Sequence, residues 1–122
     1  MARGARPKRV RPRREPTERR LDGANRVELS GRLVELGALR HTPAGIPAIE
    51  FRVHHESEAL EAGSKRKVSA EIEAIAFEGQ ARLVSGCSPD RALRLEGFLC
   101  AKSRRSKKLV LHVTRIEFVE GD

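Results

Sequence analysis

The chain has 122 residues, of which 39% are hydrophobic and 34% charged, and its formal net charge is +8. This length suits one domain with a single core, and no apolar stretch approaches the roughly 20 residues of a membrane-spanning helix, so a membrane protein is excluded. Two cysteines are too few for a disulfide framework, and we expect a soluble protein in a reducing cytoplasm.

The N-terminal segment carries most of the net charge. Residues 1–20 contain nine Lys and Arg against Glu15 and Glu18, a net of +7. Because this segment has almost no large apolar residues, burial would not offset the entropy of ordering it. We therefore predict a disordered tail at residues 1–24 and a folded domain at residues 25–122. Two interpretations of the tail remain open: a basic arm that binds nucleic acid, and a mis-assigned start upstream of the true one.

Alternation of apolar and polar residues with a period of two predicts an all-β domain after the tail. The first strand has one apolar face, formed by Val27, Leu29, Gly31 and Leu33. The glycine on that face predicts a sharp bend or the close approach of another backbone. A turn at residues 42–47, which contains two prolines and a glycine, leads to the second strand. The inward residues of the second strand are Ile49, Phe51 and Val53.

Residues 56–67 change from acidic to basic and predict a long hairpin connection that ends in the run Lys65, Arg66 and Lys67. A third strand follows, and its expected inward residues are Val68, Ala70 and Ile72. Apolar residues at helical spacing then predict the only short helix, which Gly86 would end: Phe77, Ala81 and Val84.

A fourth strand is predicted at residues 93–100, and a fifth begins at residue 109. The fifth strand starts with apolar residues at odd positions, namely Leu109, Leu111 and Val113. Its apolar residues then move to even positions, Ile116 and Phe118. This change of phase predicts a bulge near Thr114 and Arg115.

These elements together predict an oligonucleotide-binding (OB) fold. That fold is an all-β, five-stranded Greek-key barrel, here with one short helix between strands three and four. Closure of the barrel removes exposed strand edges, and Leu, Ile, Val and Phe can fill its core. An SH3-like barrel is the alternative, but it accounts for the strands and not for the helix.

Five of seven residues between the fourth and fifth strands are basic, and none is acidic: Lys102, Arg104, Arg105, Lys107 and Lys108. Residues 21–122 contain 16 Lys and Arg and 15 Asp and Glu, so without these five charges they would hold 11 basic residues against 15 acidic ones. The positive charge is therefore local. A hairpin tip with such charge predicts a phosphate-binding loop.

Five segments, at residues 25–33, 42–47, 49–55, 95–99 and 109–119, occur in an order and spacing that resemble the single-stranded DNA-binding proteins. They look most like the primosomal replication protein N, or PriB, branch. The resemblance implies a homodimeric barrel, joined along the first strand, that binds single-stranded DNA and assists the PriA helicase in replication restart. Other primosome proteins and a single-strand binding protein are implied as further partners, and no membrane is.

The resemblance also implies which residues bind DNA. The basic loop of the family falls on Lys102, Arg104, Arg105 and Lys107, with Lys108 beside them, and Arg66 matches a basic position in the hairpin before strand three. The full set of predicted nucleic-acid-binding residues is Lys102, Arg104, Arg105, Lys107, Lys108, Lys65, Arg66, Lys67 and Ser69.

The aromatic content departs from that family. The chain has no Trp and no Tyr, and Ser64 and Ser69 occupy strand-three positions at which such proteins often carry a stacking aromatic. Because base stacking is worth about 1 to 3 kcal/mol per base, weaker binding that relies on phosphates is expected. Phe51 and Phe118 share faces with apolar residues and are expected in the core. Phe98 faces the other way and is a candidate stacker, or a contact at a dimer or barrel end.

The residues give little support for an enzyme. His54 and His55 are adjacent on a strand and point to opposite faces, and neither cysteine belongs to a Cys-x-x-Cys pair. Glu71 and Glu73 share a strand face and are expected to be ordinary solvated acids. We expect no catalytic residues, no cofactor and no metal.

Two alternative functions remain. The first is a conventional single-stranded DNA-binding protein that coats DNA as a tetramer, although the chain ends at residues 120–122 without the acidic-tipped tail typical of that class. The second is an RNA-binding or ribosome-associated structural protein, for which the Arg-rich tail is the best argument.

Overall fold

A computed structural model of the protein describes residues 23–120, so almost all of the predicted tail at residues 1–24 lies outside the described residues. The described elements, in chain order, are β1 Val27–Leu36, β2 Arg40–His41, β3 Pro47–Glu61, β4 Ser64–Phe77, α1 Glu78–Ser85, β5 Ala92–Ser103 and β6 Ser106–Phe118. Within this part of the chain, no helix has the length and apolar composition needed to cross a membrane.

Five of the strands close into a barrel. Their order is β1-β5-β6-β4-β3, and a pairing between β1 and β3 completes the ring. Every neighbouring pair is antiparallel except β4 and β6, which are parallel. The predicted OB fold, with one helix between the third and fourth long strands, is therefore confirmed. The sequence did not predict the edge strand β2, because its two residues are too few to show an alternation of apolar and polar residues.

The first strand bends at Gly31, as its composition predicted. Residues 27–32 pair with β5, and residues 32–36 pair with β3 on the other side of the barrel. A Cβ atom at Gly31 would lie 2.5 Å from both the backbone oxygen of His54 and Cγ1 of Val53. Only glycine permits this approach of β1 to β3.

Branched aliphatic side chains fill the barrel, and the largest fully buried ones are Leu33, Ile49, Leu93, Leu95, Leu111, Val53 and Val84. The helix contributes Ala81 and Val84 to this core. It is also joined to β6, because the Gln80 side-chain oxygen accepts a hydrogen bond of 2.9 Å from the backbone N–H of Ile116. Phe51 is buried and Phe118 is half-buried against the core, as expected.

The predicted bulge lies in β6. Gly97 pairs with Val113 and Glu96 pairs with Arg115, so Thr114 is the extra residue. Its hydroxyl donates a 3.2 Å hydrogen bond to the backbone oxygen of Glu96. The bulge explains why the buried residues of β6 change from odd to even positions.

The prediction of a connection at residues 56–67 is wrong, because the strands continue through it. β3 extends to Glu61, and Ala62 and Gly63 alone form the turn, with φ angles of 52° and 80°. Positive φ at both positions is typical of the type I′ turn that joins twisted strands. Glu58 pairs with Lys67 across the ribbon, and such opposite charges support strand pairing where no apolar alternation exists.

Three residues assigned to the apolar pattern of predicted elements are exposed. Ala70 and Leu109 lie on parts of β4 and β6 that extend beyond the barrel, and Leu109 is 60% exposed. Phe77 is 37% exposed, because it precedes the helix in extended conformation and does not belong to its apolar face. Strand extensions without a covering layer bury neither face, so alternation there says nothing about the core.

Candidate nucleic-acid interface

Two antiparallel ribbons extend beyond the barrel. The β3–β4 arm comprises residues 55–70, and the β5–β6 arm comprises residues 99–110. β4 and β6 pair at residues 74–76 and 111–113. In each of these two strands, the residues of the arm come before the paired stretch. Because that pairing is parallel, both arms project from the same end of the barrel. The fold thus brings together two basic segments that are distant in the sequence.

The basic segment at residues 102–108 is mostly strand and not loop. β5 runs to Ser103 and β6 begins at Ser106, so that only Arg104 and Arg105 occupy the turn. Arg104, Arg105 and Lys107 are exposed, and none of the three forms an ion pair with any residue in the described range 23–120. The tip of the β5–β6 arm therefore carries three cations that are available to an anionic ligand.

Glu73 engages the other two lysines at the base of this arm. Its carboxylate oxygens accept hydrogen bonds from Nζ of Lys102 at 3.4 Å and from Nζ of Lys108 at 3.5 Å. The hydrogen bond from Lys102, together with the positive charges of both lysines, lowers the pKa of Glu73. The carboxylate is thus ionised at neutral pH, and an anionic ligand would have to displace it to bind Lys102 and Lys108.

Replacing Glu73 with glutamine is expected to raise affinity for single-stranded DNA two- to fivefold, which is roughly the strength of one exposed ion pair. The salt dependence should also become steeper, because both lysines become free to meet phosphates. Fluorescence anisotropy of a labelled oligothymidine over a salt series measures both quantities. Glu117→Gln is the matched control, since Glu117 pairs with Arg115 at 2.6 Å outside the arms. An equal gain in both variants would contradict a local role for Glu73.

The cations of the β3–β4 arm are largely matched by acids. Arg66 forms a 3.3 Å ion pair with Glu61, and Lys67 lies opposite Glu58. Residues 56–67 have no net charge, because the three glutamates of β3 equal in number the three basic residues of β4: Glu56, Glu58 and Glu61 against Lys65, Arg66 and Lys67. Ser69 is exposed opposite Glu56. This arm offers phosphates less net attraction than the β5–β6 arm.

A groove of about 450 Å³ lies on the outer face of the barrel, where β3, β4 and β6 meet the base of the β5–β6 arm. Each of its three carboxylates has a cationic partner: Glu35 with Arg52 at 2.8 Å, Glu50 with Arg40 at 3.0 Å, and Glu73 with Lys102 at 3.4 Å. Phe77 and His112 contribute aromatic surface. The groove is therefore nearly neutral, while the adjoining arm is positive.

The rings of Phe98, His112 and Phe77 form a row across β5, β6 and the end of β4. Phe98 stacks on His112 with centroids 5.1 Å apart and planes at 18°, and Phe77 lies 6.1 Å from His112 at 33°. We call these three residues the aromatic row. The sequence singled out Phe98 alone. His112 could have been found because it shares the outward face with Phe98, whereas Phe77 was assigned to the helix.

Residues 23–120 contain no group of three His, Cys, Asp or Glu side chains placed to hold a metal ion. His54 lies 3.2 Å from Glu56. On the opposite face, the ring nitrogens of His55 lie 2.7 Å from the backbone oxygen of Ser30 and 2.8 Å from Oγ of Ser57. Both histidines thus contact neighbouring strand residues, on opposite faces.

Comparison with known proteins gives consistent matches over the barrel. A family model described as another single-strand binding protein family matches residues 25–115. The replication restart protein PriB of Bordetella pertussis is 40% identical over 97 residues, which cover 80% of this chain and 91% of that protein. The PriB protein of Nitrosomonas europaea is 39% identical over 94 residues, with 75% and 87% covered.

Solved structures show the same likeness. PriB from Ralstonia solanacearum superimposes with a TM-score of 0.72 at 32% identity, and the match covers 80% of this chain and all of that one. The single-stranded DNA-binding protein from Thermus aquaticus gives a TM-score of 0.64 at 22% identity, with 81% and 52% covered. At that identity the second comparison supports the fold alone.

Proposed function

The chain belongs to the PriB family of single-strand binding proteins, and from this membership we propose that it is a non-catalytic accessory protein of replication restart that binds single-stranded DNA in the cytoplasm. The observation that carries the proposal is the β5–β6 arm. Arg104, Arg105 and Lys107 at its tip have no acidic partner among residues 23–120, and the protein is otherwise acidic over residues 21–122. A polyanion is the ligand that such local charge favours.

Phosphate contacts would provide most of the affinity. Arginine and lysine at the tip bind successive phosphates and release condensed counterions, which makes binding salt-sensitive and tolerant of sequence. Lys102 and Lys108 extend this track towards the barrel once phosphate displaces Glu73. Lys65, Arg66, Lys67 and Ser69 lie on the other arm at the same end of the barrel, and we propose them as secondary contacts.

We also propose a homodimer that associates with the PriA helicase. Residues 27–29 of β1 pair only with β5 among the described strands, so the other edge of this segment is open to a second copy. Val27 and Leu29 are half-buried there. An open strand edge with apolar neighbours favours pairing with another strand. A dimer would place two β5–β6 arms on one DNA-binding assembly.

The proposed function is tested by comparing the affinities for single-stranded DNA, duplex DNA and structured RNA at one salt concentration. We expect a preference for the single strand. A preference for structured RNA would assign the protein to ribonucleoprotein assembly and overturn the proposal. Pull-down with the PriA helicase, with and without single-stranded DNA, tests the partner, and sedimentation distinguishes a dimer from the tetramer of a conventional coating protein.

A further inference from the structure

We propose that the aromatic row, Phe77, His112 and Phe98, stacks the bases of a single strand whose phosphates lie on the β5–β6 arm. This inference rests on the proposed function and assigns a base-binding subsite to it. The subsite lies on the outer face of β4, β5 and β6. It is separate from the positions of Ser64 and Ser69, which have no ring to offer.

Exposure distinguishes these rings from the other aromatics. Phe51 and Phe118 pack in or against the core, whereas Phe77 and Phe98 are 37% and 38% exposed. Both exposed phenylalanines contact the same residue, His112. Contiguous exposed aromatic surface is costly to hydrate and is typical of a binding site, so we infer that the row binds a ligand.

The row and the arm share one face of the sheet. Lys102 lines the same groove as Phe77 and His112, and Lys102 and Lys108 both contact Glu73 in that groove. Four residues of a strand, the separation of Lys102 from Phe98 and of Lys108 from His112, span about 13 Å. A single strand that follows the arm would therefore have phosphates at Lys102 and Lys108 and bases beside the row.

Charge in the groove favours bases over phosphates. Each groove carboxylate is paired with a cation, so the floor beside Phe77 and His112 is nearly neutral. The groove volume lies in the range of about 300 to 1,000 Å³ that small-molecule sites occupy, which is enough for a nucleobase. A phosphate would meet three glutamates there, whereas an uncharged base meets aromatic and aliphatic surface. The occupant that fits is a nucleobase.

The test uses two ligands of equal length and charge: an oligothymidine, and an abasic oligonucleotide with the same phosphates and no bases. We expect Phe98→Ala and Phe77→Ala each to lower oligothymidine affinity about tenfold, within the range of one stacked base. Affinity for the abasic oligonucleotide should be unchanged. The salt slope should also remain that of the wild type, because no phosphate contact is removed.

Phe98→Leu separates stacking from packing, since it keeps an apolar contact with His112 but has no ring face. We expect the same tenfold loss, with an unaltered circular dichroism spectrum. Equal affinity of the wild type for both ligands would overturn the proposal that the aromatic row stacks bases. The proposal that the arm binds phosphates would not be affected. A change of sedimentation coefficient without a change of DNA affinity would assign the row to contacts between copies of the chain, and would also overturn it.

Discussion

Replacing Arg104, Arg105 and Lys107 together with alanine is expected to lower affinity for single-stranded DNA about 100-fold at 0.1 M salt. On a single strand each phosphate contact adds about 0.7 to the slope of log K against log salt. Three lost contacts reduce the slope by about 2. Between 1 M and 0.1 M salt, this difference in slope lowers the affinity of the variant relative to the wild type by about two orders of magnitude. These residues are chosen because none is paired with an acid in the described residues, whereas Lys102 and Lys108 are held by Glu73.

The control for this triple variant removes three positive charges elsewhere. Arg82 on the helix and Arg94 and Arg115 on β5 and β6 are exposed and lie outside both arms. Their replacement by alanine changes the net charge equally, and we expect less than a threefold effect at 0.1 M salt. An unchanged salt slope in the Arg104, Arg105 and Lys107 variant would falsify the assignment of the arm as the principal phosphate site.

Replacing Gly97 with alanine is expected to destabilise the protein by about 3 kcal/mol or more. A Cβ atom there would collide with the backbone oxygen of His112 and would lie 2.8 Å from the carbonyl carbon of that residue. The atoms in its way are backbone atoms of a paired strand, next to the bulge at Thr114, and no side-chain rotation can relieve the contact. Small domains are stable by only about 5 to 15 kcal/mol, so this loss is a large fraction of the total.

Urea unfolding followed by circular dichroism measures the loss, because a chain without Trp or Tyr has no useful intrinsic fluorescence. Gly79→Ala is the matched control. A Cβ atom at Gly79 would meet nothing within 4 Å, and the residue lies in the helix, where alanine is favoured by roughly 0.5 to 1 kcal/mol. Equal urea midpoints for Gly97→Ala and the wild type would contradict the steric role of Gly97.

The success of the sequence predictions depended on whether a strand lies inside the barrel. In β1, β5 and the barrel part of β6, one face is covered by the core, so alternation identified the strands and the bulge at Thr114. In the two arms most residues are exposed, and only Val110, at the base of the β5–β6 arm, is buried. The same pattern there placed Ala70 and Leu109 inward, and the extension of β3 through Glu61 was missed. Burial creates the alternation on which such predictions depend.

Some features of the candidate site could be predicted from the sequence and others could not. Clustered charge at residues 102–108 is a local property, and the sequence contained all that was needed to propose it. The partnership of Glu73 with two lysines was missed, since Glu73 lies 29 and 35 positions away from them. Lys65, Arg66 and Lys67 formed an equally clear run in the sequence. That Glu58 lies opposite Lys67 and that Glu61 pairs with Arg66 became evident only from the structure.

The sequence by itself therefore determined the class of barrel, its core, the bulge in its last strand and the place where positive charge is concentrated. Only the tertiary structure decided that β4 and β6 run parallel, which places both arms at one end, and that Phe77, His112 and Phe98 meet in one row. The physical reason is that alternation and composition report the environment of each residue along the chain. Which strands become neighbours, and in what register, depends on the closing of the whole sheet.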